Sequence, residues 1–584
     1  MAHVVDDLAS LNVQRSNQSE LCDVELKMAD GILHCHKSVL VTCSKYFEAM
    51  FSHDAMIENV EDKVDLSQFT TDVMDSLLNF IYTGDMQLSI DNVCERLAAA
   101  RYLQIDGVVE TSCKFIIESL LPANYADFLN EISRLSLRDT ELQIQKYIES
   151  QMCLEFAADS EGQYIKLPFD YLRQLLGTDN NLPHIKSEYE IFKLAIMWLN
   201  ADLDTRREHT GQLLCECVRY PLIPLTDLTN HVLPYVSSKK DSNLMKAVTD
   251  AQTYHQRPDL HVSQYGGLRS TTLRFYTDAF IGLPQTGSSR FLQIWHHFEM
   301  GHTVYLREAI ATSNTRVIPP GAAIAEMDGF IYVAGGDCTR VSPRVRVVQR
   351  YNPRNNTWSV CQSMTHRRHS FSLTSLDGKL YAVGGKKSPM TVECYDAKED
   401  KWTEVASVVQ PVYGHRATTV GDKLYIAGGK HGSIQCYDPA INKWECLAEE
   451  CLATMNLLEM CSIGSILYVG TWKTDEDTAV TIHRFSLEKY ESLTPLQLGL
   501  YGDSTKGELV CLISMYLEKN MIRIISSVTD SCPTSSSCYI DEIDPVTHRH
   551  RRRGNRYVHI SAQLPAIFFH MRRVKIPKFM VDDE

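Results

Sequence analysis

A short unit is repeated three times between Gly329 and Trp444. Each copy opens with an apolar segment that ends in two glycines: Ile331–Gly336, Leu380–Gly385 and Leu424–Gly429. A turn that starts with tyrosine follows in each copy, and a tryptophan closes it: Trp358, Trp402 and Trp444. The glycine pairs begin at positions 335, 384 and 428, which gives a period of about 45–50 residues. This spacing limits the fold to one that builds the same small β unit repeatedly.

Repeats of this length, made of short strands, are typical of the blades of a β-propeller. A four-stranded blade cannot bury both of its faces alone, so neighbouring blades must stack around a central channel. Glycines suit strand ends that the next blade approaches closely, and the tryptophans can pack between blades. Paired glycines could instead mark hairpins of a β-sandwich, but three copies in register favour the propeller.

Weaker copies flank the three clear ones. Strand-like segments that lack parts of the motif lie before and after the repeat: Leu273–Phe280, Phe291–Trp295, Ile466–Gly470 and Ile522–Ile525. Together with the clear copies they predict six blades, with five as the alternative. The order of strand, glycine pair, tyrosine turn and tryptophan resembles the kelch repeat. The resemblance implies an all-β propeller over residues 271–584, preceded by a linker at 255–270.

The composition and charge limit the classes of protein to which the chain can belong. The chain has 584 residues, of which 44% are hydrophobic, so several domains with sizeable cores are expected. The net charge of −15 argues against nucleic acid or an anionic membrane as the main partner. The 18 cysteines are scattered and no signal peptide is visible, so we expect reduced thiols in the cytoplasm, with the nucleus as a second location. No apolar stretch is long enough to span a membrane.

The first segment, residues 5–121, has two short alternating strands followed by amphipathic helices, the first of them predicted from His36 through Phe51. Spaced residues match a family pattern: Asp23, then His36, Leu40, Ser44 and Phe47, then Tyr82-Thr83-Gly84. The pattern resembles a BTB (POZ) domain, which has an α/β fold. This resemblance implies a homodimer with a largely helical and apolar interface, and structural roles for Asp23 and His36.

The same resemblance implies that the segment binds cullin-3, the scaffold of a RING ubiquitin ligase. Members of the family often carry an apolar-x-Glu motif after the helix that ends here at Phe51, and this chain has Met56-Ile57-Glu58 there. On this reading Phe51 and Met56 lie in or beside the cullin-binding groove, and Glu58 accepts hydrogen bonds. A plain surface loop is the alternative, because so short a motif often occurs by chance.

Residues 122–254 have the pattern of an all-helical domain. The sequence Ser187-Glu-Tyr-Glu190 predicts the start of one amphipathic helix. A helical block between BTB and kelch segments resembles the BACK domain, and its first helices resemble the part that contacts cullin-3. The resemblance makes Asn124 and Tyr125 candidate cullin-3 contacts, although the family often has Asn-Cys at this point.

The sequence contains no recognisable motif for catalysis or metal binding. Without a nucleophile elbow, a phosphate loop or a paired zinc motif, we expect no enzyme, no cofactor and no metal. His34-Cys35-His36 and Cys215-x-Cys217 each lack a second ligand pair, which favours structural residues over zinc ligands. The basic run His548–Arg553 could be a nuclear signal or a nucleic-acid patch, but an exposed outer strand or loop is favoured.

Two functions from different classes remain. The resemblance implies a substrate-recognition adaptor of a cullin-3 ligase, in which the BTB and BACK segments bind cullin-3 and the propeller holds a protein substrate for ubiquitination. The alternative is a dimeric scaffold without ligase function, for example on actin or another cytoskeletal element. Co-purification of endogenous cullin-3 would separate the two. A transcriptional regulator is a weaker third option, because no DNA-binding finger is found.

Two loops that lead into clear blades are basic. The candidate substrate contacts in them are Arg367, Arg368, His415 and Arg416. Clustered guanidinium groups hold carboxylates or phosphates in paired hydrogen bonds, so we expect these side chains to line one rim and select an acidic segment of the substrate. Ordinary solvated loops are the alternative. The three tryptophans are expected to be equivalent structural residues.

Overall fold

A computed structural model describes most of the chain. The described residues are 11–15, 17, 22–52, 63–158, 160–180, 182–265, 268–274, 276–284, 293–296, 305–308, 319, 321–337, 346–355, 357–452, 456–473, 479–499, 509–518, 521–529, 536–543, 550–558 and 569–577. The chain divides into two compact units: residues 1–185 with 190–218, and residues 186–189 with 219–584.

The first unit begins with a small mixed sheet. Strand β1 (Val24–Lys27) pairs antiparallel with β2 (Ile32–Cys35) and parallel with β3 (Lys63–Asp65). The alternation of apolar residues along β1 turns Val24 and Leu26 into the core, as the sequence pattern predicts. The helices that pack on this sheet are α1 (Lys37–Cys43), α2 (Lys45–Ser52), α3 (Thr71–Thr83), α4 (Val93–Tyr102) and α5 (Asp106–Glu118).

The single helix predicted from His36 through Phe51 is two helices, α1 and α2. Ser44 separates them with extended backbone, at φ −140° and ψ 117°. Its buried hydroxyl donates to the carbonyl of Leu103 and accepts the N–H of Phe47, so it caps α2 and ties it to the end of α4. The break therefore comes from a side chain that competes with the helical hydrogen bonds.

A second helical group completes the first unit. The core of this group is apolar and includes Ile144, Leu172 and Phe192. Helix α10 begins at Glu188, where the capping motif places it. The helices are α6 (Tyr125–Arg134), α7 (Arg138–Gln151), α8 (Leu154–Ala158), α9 (Phe169–Gly177), α10 (Glu188–Ala201), α11 (Leu203–Arg206) and α12 (His209–Cys217).

The second unit contains three more helices, α13 (Leu225–Asp227), α14 (Leu233–Lys239) and α15 (Ser242–Gln256). The stretch predicted as a linker follows α15, and it is packed rather than extended. His261 and Val262 are buried, and short 3₁₀ turns run over Pro258–Leu260 and Arg269–Thr271. A packed connection of this kind restricts motion between α15 and the strands that follow.

A buried polar network joins this stretch to the first clear repeat. The His261 ring stacks on Tyr254 at 4.0 Å between centroids, and His261 Nε2 lies 2.6 Å from the Tyr254 carbonyl. Asn352 donates through Nδ2 to the Tyr254 hydroxyl at 2.9 Å and lies 3.0 Å from His261 Nδ1. These contacts fit a neutral His261 that donates from Nε2 and accepts at Nδ1. Arg350 adds a hydrogen bond to the Pro258 carbonyl.

The remaining strands form four-stranded antiparallel sheets, six of them within the described residues. In chain order the first strands are β4 (Tyr276–Pro284), β5 (Gln293–His296), β6 (Tyr305–Glu308), β7 (Ala323–Met327), β8 (Phe330–Ala334), β9 (Val348–Asn352), β10 (Thr357–Cys361), β11 (Ser372–Leu376), β12 (Lys379–Val383), β13 (Val392–Asp396) and β14 (Lys401–Val405). The rest are β15 (Arg416–Val420), β16 (Lys423–Gly428), β17 (Ser433–Asp438), β18 (Lys443–Ala448), β19 (Asn456–Ile463), β20 (Ile466–Lys473), β21 (Ala479–Ser486), β22 (Glu491–Gly499), β23 (Leu509–Glu518), β24 (Met521–Thr529), β25 (Ser536–Ile543), β26 (His550–Val558) and β27 (Phe569–Pro577).

The sheets are the blades of a closed propeller. Five of the six described sheets use four consecutive strands, whereas the sixth has the order β27-β4-β5-β6. The innermost strands contact one another in sequence, β7 with β11, then β15, β19, β23 and β27, and β27 returns to β7. The six-bladed prediction therefore agrees with the structure. The basic run at 548–553 leads into β26, an outer strand of its blade.

Glycine pairs allow each loop to approach the preceding blade. Gly384 and Gly385 have φ angles of 60° and 107°, in the left-handed region that favours glycine. The Gly385 N–H donates to the Val412 carbonyl of the next blade at 2.9 Å. The Gly336 N–H makes the same bond to the Arg368 carbonyl. The glycines thus serve close packing between blades, as the repeat predicts.

Gly384→Ala should destabilise the propeller more than Gly421→Ala. Both glycines have left-handed φ angles, 60° and 58°, so the backbone strain from alanine is similar, about 1–2 kcal/mol. A methyl group at Gly384 would lie 2.5 Å from the Val412 carbonyl oxygen, whereas nothing lies within 4 Å at Gly421. Thermal unfolding should show the larger loss for Gly384→Ala. Equal losses would contradict the close approach.

Acid should weaken the network around His261. The pKa of His261 falls from 6.5 to about 4, mainly because of burial; the charges of Arg350, His255 and Arg354 also lower it, and the hydrogen bond to the Tyr254 carbonyl opposes the change. The unfolded chain therefore binds a proton between these two values that the folded chain does not, and stability falls as pH drops from about 6.5 towards 4 by up to about 1.4 kcal/mol per pH unit. Urea unfolding at several pH values should show a shallower dependence in His261→Gln. An unchanged slope would show that His261 does not titrate on unfolding.

Candidate functional site

The two residues predicted to be structural in the first segment, Asp23 and His36, make contacts within the chain. Asp23 Oδ1 accepts the N–H of Lys37 at 2.7 Å, which caps the start of α1. His36 is buried, and its N–H donates to the Tyr82 hydroxyl at 3.0 Å. Its Nδ1 lies 2.9 Å from the same hydroxyl. These contacts join the start of α1 to the end of α3.

The predicted cullin-3 groove is described only in part. Phe51 is half-buried near the end of α2, where its ring stacks on Phe47 at 6.0 Å between centroids. Met56 and Glu58 lie outside the described residues, so their contact with cullin-3 stays a prediction.

Asn124 and Tyr125 are buried in the chain itself, which corrects their prediction as direct cullin-3 contacts. Asn124 accepts the N–H of Leu121 at 2.8 Å and donates to the Ser119 carbonyl at 2.9 Å, so it shapes the turn between α5 and α6. The Tyr125 ring is fully buried and stacks on Phe156 at 5.2 Å. Neither side chain is presented to a partner, and their effect on binding would be through the position of α6.

One face of the propeller gathers the loops that were predicted to bind substrate. Strand β12 ends and strand β11 begins at this face, so the segments after the glycine pairs lie beside the segments that enter the inner strands. The N–H of Lys386 donates to the His369 carbonyl at 3.1 Å across this junction. We call the surface formed by residues 365–371, 385–391, 409–415 and 429–432 the glycine-pair face.

Arg368 lies beneath this face and not on it, which corrects its prediction as a substrate contact. Its side chain is fully buried and pairs with the fully buried Glu393 through two hydrogen bonds of 3.0 Å. The guanidinium also donates to the carbonyls of Gly384 and Thr391 at 2.7 and 2.8 Å. Every one of these contacts is internal, so Arg368 positions the loop 385–391.

The next blade has uncharged residues at the two corresponding positions. Val412 occupies the place of Arg368, because its carbonyl accepts the N–H of Gly385 as that of Arg368 accepts the N–H of Gly336. Gln435 occupies the place of Glu393, two residues before the blade tyrosine, and it accepts the N–H groups of Val409 and Gln410. Glu393 likewise accepts the N–H groups of Thr365 and His366.

His415 is also corrected as a substrate contact, because it is buried between blades. Its Nε2 lies 2.8 Å from the Ser372 hydroxyl, and its Cε1 lies close to Gly384. Burial, together with the nearby charges of Arg416 and Arg368, lowers the pKa of His415 from 6.5 to about 3, so the ring is neutral at physiological pH. In sequence His415 looked like part of a basic loop, but its place corresponds to Phe371, which lies over Gly335 in the previous blade.

Arg367 and Arg416 have different surroundings. Arg367 is exposed on the glycine-pair face. Arg416 is half-buried at the start of β15, where its guanidinium donates to the carbonyls of His415 and Leu457 at 3.2 and 3.1 Å. Substrate contact by either residue stays a prediction, with Arg367 the more accessible of the two.

Three exposed lysines on the same face were missed. Lys386 and Lys387 follow the second glycine pair directly, and Lys430 follows the third. The sequence feature that could have revealed them is the lysine that directly follows the second and the third glycine pair. Because the strands that end in a glycine pair all end at this face, the residues that come next must lie on it.

The three tryptophans repeat one contact. Each is paired across the outer strands with the tyrosine of its own blade, at centroid distances of 5.0, 4.9 and 5.1 Å: Tyr351 with Trp358, Tyr395 with Trp402 and Tyr437 with Trp444. Trp402 also donates to the Gln362 carbonyl of the preceding blade at 2.9 Å. These positions fit the structural role that was predicted for them.

Neither a membrane span nor a metal centre is found in the part of the chain that the structure describes. Its helices include none that is long and apolar enough to cross a membrane. Among the same residues, no group of three or more His, Cys, Asp or Glu side chains is arranged to hold a metal ion.

Arg368→Val should destabilise the propeller, and a second change should restore much of the loss. Removal of one partner of a buried ion pair costs about 3–5 kcal/mol, because the other charge is left buried and uncompensated. Arg368→Val with Glu393→Gln reproduces the Val412 and Gln435 pair of the next blade, so the double variant should unfold at a higher temperature than Arg368→Val. Arg367→Ala, at the exposed neighbouring position, is the control and should change stability by less than about 0.5 kcal/mol. A double variant less stable than the single one would contradict this account.

Comparison with known protein families identifies the parts of the chain. Residues 11–120 match the BTB/POZ domain, and residues 131–233 match the BACK domain, described as "BTB And C-terminal Kelch". Residues 319–365, 367–408 and 411–449 match the kelch motif. The matches confirm the three kinds of domain that the sequence predicts, in the predicted order.

The individual proteins to which the chain is similar are Kelch-like proteins. The chain is 30% identical to Kelch-like protein 9 of Mus musculus over 386 residues, which cover 64% of this chain and 60% of that protein. It is 30% identical to Kelch-like protein 31 of Homo sapiens over 388 residues, which cover 64% of this chain and 58% of that protein. The alignments therefore span less than two thirds of the length of these relatives.

Proposed function

The chain is a BTB–BACK–kelch protein, and on this premise we propose that it is the substrate-recognition adaptor of a cullin-3 RING ubiquitin ligase. The BTB and BACK domains bind cullin-3, and the kelch propeller binds the protein that is to be ubiquitinated. The chain itself has no catalytic role in this proposal, because ubiquitin is transferred from a conjugating enzyme that the ligase recruits.

The observation that carries the proposal is the combination of a BTB domain with a closed propeller in one chain. A ring of six described blades presents rigidly held loops on one face, which suits the binding of a protein segment. The BTB domain supplies the second site that an adaptor needs. Its α2 helix ends at Ser52, immediately before the segment that contains Met56 and Glu58.

We further propose that the chain is a homodimer through its BTB domain and acts in the cytoplasm, with the nucleus as a second location. Large apolar side chains are exposed on this domain, including Ile32 at 51%, Tyr102 at 52% and Val13 at 60%. Exposed apolar area on a small domain is a common sign of an interface. A dimer would present two propellers and gain avidity for a substrate with two binding segments.

The alternative is a dimeric scaffold that binds cytoskeletal proteins without a ligase. It uses the same dimer and the same propeller, but it does not need the Met56-Ile57-Glu58 segment. Cullin-3 binding is therefore the property that distinguishes the two functions.

Met56→Asp combined with Glu58→Ala should abolish capture of purified cullin-3. Loss of a buried apolar anchor costs about 2 kcal/mol or more, which is roughly a thirtyfold loss of affinity. Ile90→Asp, which places a carboxylate at another exposed apolar position of the BTB domain, is the matched control and should bind as the wild type does. Light scattering should show that both variants remain dimers. If wild-type chain fails to capture cullin-3, the scaffold function is favoured.

A further inference from the structure

The loop that carries Lys386 and Lys387 is held in a fixed conformation. Within the loop, Ser388 N–H donates to the Gly385 carbonyl and Thr391 N–H to the Ser388 carbonyl. The next blade anchors the loop from the side, because the N–H of Val412 donates to the Pro389 carbonyl at 2.9 Å. Arg368 anchors it from below through the Gly384 and Thr391 carbonyls. Charges on a loop held this way are pre-organised for binding.

The positive charges on this face form no salt bridges within the described part of the chain. Arg367, Lys386, Lys387 and Lys430 are exposed, and none of them has a carboxylate within 4 Å among the described residues. Two carboxylates at the edge of the face are engaged elsewhere: Glu404 pairs with His366, and Glu449 accepts a hydrogen bond from Gln410. A chain with a net charge of −15 does not need lysines for solubility, so their concentration here calls for another explanation.

Lys386 and Lys387 also affect the pKa of a neighbouring residue, His369. His369 is half-buried beside the loop, and partial burial lowers its pKa. Asp337 opposes this change, while Lys386 and Lys387 add to it. Lys386, Lys387 and Asp337 therefore all act on His369, so this part of the face carries one carboxylate beside its two lysines.

We propose that the glycine-pair face binds a segment of the substrate rich in aspartate and glutamate, through Lys386, Lys387, Lys430 and Arg367. The inference rests on the proposed function, because it names the class of substrate that the propeller takes. It also replaces the predicted contacts Arg368 and His415, which are buried, with residues that are exposed on the same face.

The chemistry of the cations favours a run of carboxylates over a phosphate group. Phosphate is often held by paired guanidinium groups, but Arg368 is already occupied by Glu393. Lysine ammonium groups are separate point charges on flexible stems, and several of them match several separated carboxylates.

The test measures binding of a short fluorescein-labelled peptide of alternating glutamate and serine to the full-length protein by fluorescence anisotropy. The same peptide with glutamine in place of glutamate is the neutral probe. We expect tighter binding of the glutamate peptide, weakened by salt. Lys386→Glu with Lys387→Glu should reduce the affinity by about tenfold or more, because attraction becomes repulsion at two positions.

Lys398→Glu with Lys401→Glu is the matched control. These exposed lysines lie at the turn between β13 and β14, at the opposite end of the same blade, so the variant has the same net charge with an unaltered glycine-pair face. It should bind the glutamate peptide as the wild type does. Equal loss in both variants would overturn the proposal, because it would show a response to net charge alone.

Other outcomes also overturn the inference. The glutamine peptide could bind as well as the glutamate peptide, or a phosphoserine peptide or single-stranded DNA could bind more tightly. Capture of purified cullin-3 by the Lys386→Glu, Lys387→Glu variant separates this inference from the proposed function. Capture without peptide binding by the wild type would reject only the acidic segment, and peptide binding without capture would reject only the ligase role.

Discussion

The propeller depends on the close approach of each loop to the glycine pair of the blade before it. Where Gly385 donates to the Val412 carbonyl, no side chain could stand between the two backbones. This contact sets how near neighbouring blades lie, and the burial of Leu380 and Leu424 follows from it. It also determines which residues face solvent. Every strand that ends in a glycine pair ends at the same face of the propeller, so the residues that follow it lie on that face. The exposed lysines owe their common location to this repetition.

The packing that repeats from blade to blade could be predicted from the sequence, but the burial of single polar side chains could not. The spacing of glycines, tyrosines and tryptophans predicted the blades, and alternation or helical spacing predicted the first two domains. The sequence could not show that Arg368 meets Glu393, because these residues are 25 positions apart and only the fold brings them together. For the same reason His415 looked like a loop cation, although its ring fills a gap between blades. Ser44 broke a predicted helix through a bond to Leu103, which is distant in sequence.

Charged residues mislead sequence analysis most where the fold supplies their partners. Arg274 is another example, since it lies fully buried and forms two hydrogen bonds of 2.7 Å to Glu188. Asn124 shows the same limit for neutral groups, because its two hydrogen bonds are made within the chain. A polar side chain in a loop is therefore weak evidence for a binding site. Position relative to a repeated structural element says more about which residues reach solvent, because the lysines after the glycine pairs are exposed on one face.

The blade made of β27, β4, β5 and β6 has a consequence for how the protein is made. The ribosome synthesises β4 early and β27 last among the described strands, so the blade stays incomplete while the other five are produced. At typical translation rates this delay is on the order of tens of seconds. During that time the edge of β4 that later pairs with β27 has unpaired N–H and C=O groups, which attract other strands. Nascent chains of this protein thus carry an open strand edge until β27 is made, and a stop codon before Phe569 would leave the ring open.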